Sequence, residues 1–215
     1  MIMNLWTGSK TSQDKKPRIN KDRRMNMKKM TTLKQCVMAL AIVLNAIGAL
    51  IALTFQIPIY LDSIGTVFVG ALLGPTYGAL TGILSGLLSG LTFDVYSLYY
   101  IPAQIFTGYM AGVVHSKTRC MQGKAFPLGV LGISIPTSIV SAIVTAFVFS
   151  GFTSSNSTYL VMIMNKMGIG LTLSCFIVQA LTDFVDEMVA SLVSRKLLKS
   201  MSSDMKTKIR GTNRL

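Results

Sequence analysis

Asp62 is the one charge in YLDSIGTVFVGALLGPTYGALTGILSGLLSG, residues 60–90, and Ser63 and Thr66 follow it at the head of an apolar run. A carboxylate so placed accepts hydrogen bonds and has two uses. It can order a loop over a bound small molecule, or it can cap the helix that starts near Ile64. Asp94 is a second acid of this kind. Gln56, Tyr60, Tyr96, Tyr99, Tyr100, Asn156, Tyr159 and Asn165 stand in the same polar stretches, with Gln104 one turn into the next apolar segment. Aromatic rings with hydrogen-bonding tips suit a small-molecule site. Taken singly, the tyrosines also fit an aromatic belt at a membrane interface. A further acidic group, Asp183, Asp186 and Glu187, occupies one helical neighbourhood in TDFVDEMVASLVSRK. Ionisable groups in an apolar helix are costly and usually functional. These three either pair with basic residues near a cytoplasmic interface or contact a partner subunit.

Other chemistry is missing from the sequence. There is no G-x-G-x-x-G after a strand, no G-x-x-x-x-G-K-[ST], no G-x-S-x-G and no H-E-x-x-H. His115 is the one histidine, and no metal role is expected of it. Cys36, Cys120 and Cys175 are too widely spaced for a metal pattern and leave one unpaired in any disulfide scheme. They read as reduced and structural. The expectation is a non-enzyme without metal or cofactor.

The elements that must position these residues are apolar helices. Of the 215 residues 51% are hydrophobic and 13% charged, against about 25% charged in soluble domains. Apolar runs recur near 31–54, 64–74, 77–92, 101–115, 127–150 and 166–194. Gly74-Pro75 divides 64–92, because proline removes a helix bond and disfavours helix at the residue before it. The net charge of +13 is read as a topology signal and not as a nucleic-acid surface. With six spans, 20 of the 21 Lys and Arg fall on one side, in the N-terminal arm, the 116–126 loop and the tail, against Lys166 alone on the other. With five spans the bias vanishes. The positive-inside rule therefore selects six spans with both termini cytoplasmic.

The predicted architecture is an all-α integral membrane protein of six transmembrane helices, whose second and third spans form a short hairpin broken by Gly74-Pro75. Residues 1–30 are a basic, disordered cytoplasmic arm without the apolar core of a signal peptide. Residues 31–194 are the membrane domain and 195–215 a basic cytoplasmic tail. Gly70, Gly74, Gly78, Gly82, Gly86 and Gly90 recur at every fourth position. Glycine is a poor helix former in water, but in lipid small residues four apart let helix backbones approach, so the stripe reads as a packing face.

Six short-looped spans, the segment IPIYLDSIGTVFVGALLGPTYGALTGILSGLL and the closing DFVDEMVASLVSRKLLK resemble the substrate-binding S component of an energy-coupling factor (ECF) transporter. The resemblance covers roughly residues 31–200. It implies capture of a vitamin or related micronutrient from outside a prokaryotic cell membrane, followed by association with a transmembrane coupling subunit and two ATPases. The ligand would lie between the first outer loop, residues 93–100 and the outer ends of the last three helices. The candidate ligand-binding residues are then Gln56, Tyr60, Asp62, Ser63, Thr66, Asp94, Tyr96, Tyr99, Tyr100, Gln104, Asn156 and Asn165. S components of this kind meet the coupling subunit through small residues of the first helix. Here Ala41, Asn45 and Ala49, with Gly48 and Ala52, are the matching positions, and Asp183 and Asp186 are the other candidate coupling contacts. A membrane sensor module and a solitary small-molecule facilitator are the alternatives.

Overall fold

The computed structural model describes residues 32–117, 123–152 and 157–210. The expected arm 1–30, Cys120 and Asn156 lie outside the described residues. The fold is all-α, with no strand among the described residues. In chain order the helices are α1 (Thr32–Thr54), α2 (Ile64–Leu73), α3 (Pro75–Thr92), the single turn α4 (Tyr96–Tyr99), α5 (Ile101–Lys117), α6 (Phe126–Ile143), α7 (Ser157–Met164), α8 (Leu171–Ser200) and α9 (Ser203–Arg210). α6 continues as a π-helical turn through Val148, and α7 as another, Asn165–Ile169. Among the described residues two helices, Thr32–Thr54 and Phe126–Val148, are long and apolar enough to cross a membrane.

The break at Gly74-Pro75 has a local cause. Gly74 takes φ +103°, which a side chain would resist, and its N–H donates to the Gly70 carbonyl to close α2. Pro75 then opens α3 at a position where its missing N–H costs nothing. α2 has only 10 residues, about 15 Å of rise, beside the 23 residues of α1, about 34 Å. The segment 55–63 therefore descends into the bundle before α2 begins, and the start of α2 lies beside α8, where Ser194 Oγ donates to the Ile64 carbonyl.

The glycine stripe packs on α5. A Cβ at Gly78 would fall on the Gly108 carbonyl, one at Gly82 on the Gln104 carbonyl, and one at Gly70 within 2.7 Å of the Gly108 oxygen. Gly108 and Gly112 return the contact against Gly78 and Pro75. The seam is thus glycine on glycine, with backbones in direct contact.

α1 lies on the other side of this hairpin. Asn45 is fully buried; its Nδ2 donates to Thr66 Oγ1 at 2.8 Å and to Ser85 Oγ at 2.9 Å, and its Oδ1 accepts from the Gly65 N–H at 2.6 Å. One side chain thus ties α1 to α2 and α3. This corrects the expectation for the first helix. Ala41, Asn45, Gly48, Ala49 and Ala52 are buried inside the chain and offer no surface to a coupling subunit. Ala41 lies under Gly65, and Gly48 leaves room for the Leu61 carbonyl. Small residues on α1 serve close contacts within the bundle.

Many hydroxyl and carboxyl groups are buried beside the apolar clusters of the interior, while large apolar side chains stand on the exterior. Thr66, Thr81, Ser174, Ser191 and Ser194 are fully buried, whereas Leu40, Leu91, Phe147 and Leu181 are more than half exposed. Water-soluble folds place polar groups outside and apolar ones inside. Basic residues gather at one end of the bundle: Lys34 lies over the Tyr77 ring, Arg195 over the Phe126 ring, and Arg210 donates from Nε to the Leu72 carbonyl. α8 runs on to Ser200, and α9 folds its one buried residue, Ile209, against this end. Cys36 and Cys175 are free thiols.

Candidate functional site

Toward the other end the segment 55–63, the turn around α4 and helices α5, α6 and α8 enclose a cavity. Tyr60, Asp62 and Ser63 line it from the descending segment, and Asp94, Ser97 and Tyr100 from the turn. Ala103, Gln104 and Thr107 of α5, Thr137 and Ser141 of α6, and Asp183, Asp186 and Glu187 of α8 complete the wall. The room inside it for water centres is about 40 Å³, whereas all the unfilled space between its atoms, out to open solvent, is about 490 Å³. One water needs about 10–15 Å³ by the first measure. That room takes a few waters, and a larger occupant must displace part of the wall.

An irregular part of that wall is the segment 55–63. It is held by a latch: the Leu61 N–H donates to Asp186 Oδ1 at 2.7 Å, and Ser63 Oγ donates to Asp186 Oδ2 at 2.8 Å. Leu61 itself sits at φ +53° and Gln56 at φ +53°, a region side chains rarely adopt. The latch holds a backbone shape that the residues would not choose alone.

Asp94 fixes the opposite rim. It accepts from the Tyr96 N–H at 3.2 Å and from Ser97 Oγ at 2.9 Å, closing the α4 turn. Tyr100 OH and Gln179 Nε2 both meet Thr145 Oγ1, each at 2.5 Å, in the π-helical turn after α6. A π turn of this kind is frequent at functional sites. Below, Thr107 Oγ1 donates to Glu187 Oε1 at 2.8 Å and pairs with Thr137 Oγ1 at 3.0 Å, joining α5, α6 and α8. Glu187 Oε2, Asp183 Oδ2 and Gln104 Oε1 are buried and have no hydrogen-bond partner among the described residues.

Burial, and after it the negative charge of Asp186, pushes the Asp62 carboxyl up from its ordinary value, against a hydrogen bond from the Gln104 side chain. An acid held up in this way keeps a proton that the unfolded chain has already released. Its contribution is whole below the ordinary value of 3.8 and is lost as pH rises through the shifted one. The melting temperature of ligand-free protein should therefore fall with rising pH above the usual carboxylate range. Asp62→Asn should flatten that fall; a wild-type slope retained in Asp62→Asn would assign the pH dependence to other groups.

Of the residues expected to bind ligand, the fold brings Tyr60, Asp62, Ser63, Asp94, Tyr100 and Gln104 to one cavity. Others go elsewhere. Gln56 is exposed at the end of α1, its Nε2 donating to the Leu53 carbonyl. Thr66 is fully buried against Asn45, away from the cavity. Tyr96 and Tyr99 pack on Phe149, with ring centroids at 4.8 and 5.1 Å, and stand behind the wall. Asn165 is exposed in the turn between α7 and α8. The capping alternative for Asp62 is also corrected: Ser63 holds the N-cap position of α2 without a side-chain cap bond, and the first-turn N–H of Gly65 is met by Asn45 of α1.

Asp183 and Asp186 require the largest correction. Both are buried in the cavity wall, as is Glu187, so they offer nothing to a partner subunit or a basic interface. Thr107, Thr137, Ser141, Thr145 and Gln179 escaped notice, yet a signal for them existed. Thr137, Ser141 and Thr145 recur every four residues in an apolar helix, and Gln179, Asp183, Asp186 and Ala190 repeat at helical spacing on α8.

Comparison with protein-family models, curated proteins and solved structures finds no match for this chain.

Proposed function

We propose that this chain is a six-span membrane protein that captures a small molecule from the outer face, acting as the substrate-binding subunit of an ECF-type importer. The observation that carries the reading is the carboxyl-lined cavity beside a latched, strained segment at the end of the bundle away from Lys34, Arg195 and Arg210. Large apolar side chains on the exterior, with many buried and hydrogen-bonded polar groups inside, support a membrane setting. α2 and α3 each fall short of, or barely reach, a span of about 20 residues, and the glycine seam with α5 supplies the shelter that such segments need in a bilayer.

In this reading, segment 55–63 is the lid, Asp186 its latch and Asp62 the carboxylate it carries over the ligand. The chain supplies capture, and ATP hydrolysis comes from partner ATPases through a coupling subunit. With the small-residue face of α1 buried, that subunit meets some other surface. Mass spectrometry of small molecules retained by the purified protein tests capture, and co-purification with a coupling subunit and an ATPase pair tests the importer assignment. Absence of any retained or transported compound would sink the first. A chain that captures its ligand but never associates with ATPases would leave the facilitator reading in its place.

Topology has its own test. In a background without native cysteines, Thr76→Cys, exposed at the α2–α3 turn, should resist an impermeant thiol reagent in intact cells, and Val95→Cys, exposed beside the cavity rim, should react. Reaction at position 76 from outside would overturn six spans with cytoplasmic termini. Asp62→Asn, which keeps the shape and one acceptor but can no longer ionise, should weaken binding of the retained compound about tenfold, equivalent to about 1.4 kcal/mol. Unchanged affinity would remove Asp62 from the site.

A further inference from the structure

We infer that the site selects an organic cation, a molecule presenting a protonated amine or a quaternary nitrogen, and that this charge seats against Glu187 and Asp183. The inference rests on the reading of the cavity as a capture site and names the class of its ligand. Five carboxyl groups, Asp62, Asp94, Asp183, Asp186 and Glu187, line the cavity, and among the described residues no Lys, Arg or His does. Asp186 and Asp94 are committed to holding the two rims through both of their oxygens. Glu187 commits only one oxygen, to Thr107.

What is left over points to an occupant. Glu187 is 2% exposed and Asp183 8% exposed, and each keeps an oxygen with no partner among the described residues. A buried acceptor without a donor is costly, so these two atoms call for hydrogen from a ligand. An ammonium group brings up to three donors and the opposite charge. A carboxylate or phosphate would bring no opposite charge, and the cavity lining offers it no base. The space for water centres, about 40 Å³, matches a small ionic head more closely than a whole ring system.

The rim fits the rest of such a molecule. Tyr60 and Tyr100 both line the cavity with ring centroids 6.1 Å apart, and Phe149 stacks on Tyr100 at 6.2 Å. Aromatic faces beside carboxylates are favourable surroundings for an organic ammonium. A bare metal ion fits less well: among the described residues no group of three or more His, Cys, Asp or Glu is placed to hold one. Burial also holds Asp62 above its ordinary carboxyl range, and a cation arriving beside it, Asp186 and Gln104 would favour its ionised form.

A matched series on one scaffold tests this with the purified full chain in lipid nanodiscs. Benzylammonium and benzyltrimethylammonium should bind in calorimetric titration. Benzyl alcohol should bind at least about tenfold more weakly, and benzoate not measurably. Glu187→Gln should reduce affinity for both cations by about tenfold or more and narrow their advantage over benzyl alcohol. Asp183→Asn serves as the second variant should Glu187→Gln fail to fold. Benzoate or benzyl alcohol binding as tightly as the cations, or cation affinity unchanged in the folded variants, overturns the inference. So does binding of sodium or magnesium ion that depends on Glu187 while the organic cations do not bind. The molecules retained on purification separate the two readings if no benzyl probe binds. A retained cation supports both, a retained neutral or anionic compound leaves capture standing and removes the cation, and no retained molecule at all removes both.

Discussion

Gly82→Leu should leave almost no folded protein, while Gly132→Ala should be tolerated. A Cβ at position 82 meets the Gln104 carbonyl and carbonyl carbon, which are helix backbone and cannot move aside. A Cβ at 132 meets only Val114 Cγ2, at 3.5 Å, an ordinary contact. Overpacking a fitted interior costs about 1–3 kcal/mol for a methylene or two, and a leucine forced between two backbones exceeds that range. Gly86→Leu should be the intermediate case, because its obstacle is the Ile101 side chain, which has other rotamers. Yield of monodisperse protein and its melting temperature, measured across the series, report the order. Equal melting temperatures for Gly82→Leu and the parent would show that the α3–α5 seam is not tightly packed.

Asp186→Ala should release the 55–63 segment without unfolding the bundle. The alanine removes two acceptors at once, leaving the Leu61 N–H and the Ser63 hydroxyl unpaired and the positive φ of Leu61 unsupported. Hydrogen bonds to a charged group are worth about 1.5–3 kcal/mol each, so about 3 kcal/mol or more of latch is lost, which corresponds to about a hundredfold in lid closure. Asp186→Asn should lie between, since its Oδ1 still accepts from one of the two donors. Amide hydrogen exchange should rise sharply in 55–63 and hardly at all in α5 and α6. Ligand dissociation should accelerate in the same order, alanine above asparagine. Protection in 55–63 that survives Asp186→Ala would mean the segment is held by its packing and not by the carboxylate.

These two results bear on different parts of the molecule. The seam decides whether the bundle forms; the latch decides whether the formed bundle keeps its cavity shut. The polar interior joins them, since Asn45 holds α1 to the α2–α3 hairpin while Glu187 and Thr107 hold α5 to α8. Substitutions in the seam should therefore change yield, and substitutions in the latch should change exchange and affinity.

Elements governed by neighbours along the chain were readable from residue order. The α2–α3 break is an example: proline at 75 and glycine at 74 act on their own backbone, and the helices end and start there whatever surrounds them. The glycine period announced a packing face for the same reason, because spacing by four places residues on one side of a helix. The partner of that face, α5 with Gly108 and Gly112, was not specified by the period itself.

Groups whose role depends on what lies opposite them needed the tertiary structure. Asp183, Asp186 and Glu187 looked like an acidic patch near the end of a helix, but α8 runs 30 residues and carries them to its middle. There the short α2 leaves room for 55–63 to descend and bring Leu61 and Ser63 to Asp186, 125 and 123 positions away in the chain. The small residues of α1 were misassigned in the same way: spacing shows that a face permits close approach, and only the packed fold shows which helix, of this chain or another, makes it. Residue types and periods determined a helical chain with a broken hairpin, a glycine seam and isolated acids. Long-range packing decided that those acids share one cavity, because the energy of a buried carboxylate is set by the groups the fold places around it and not by its neighbours in sequence.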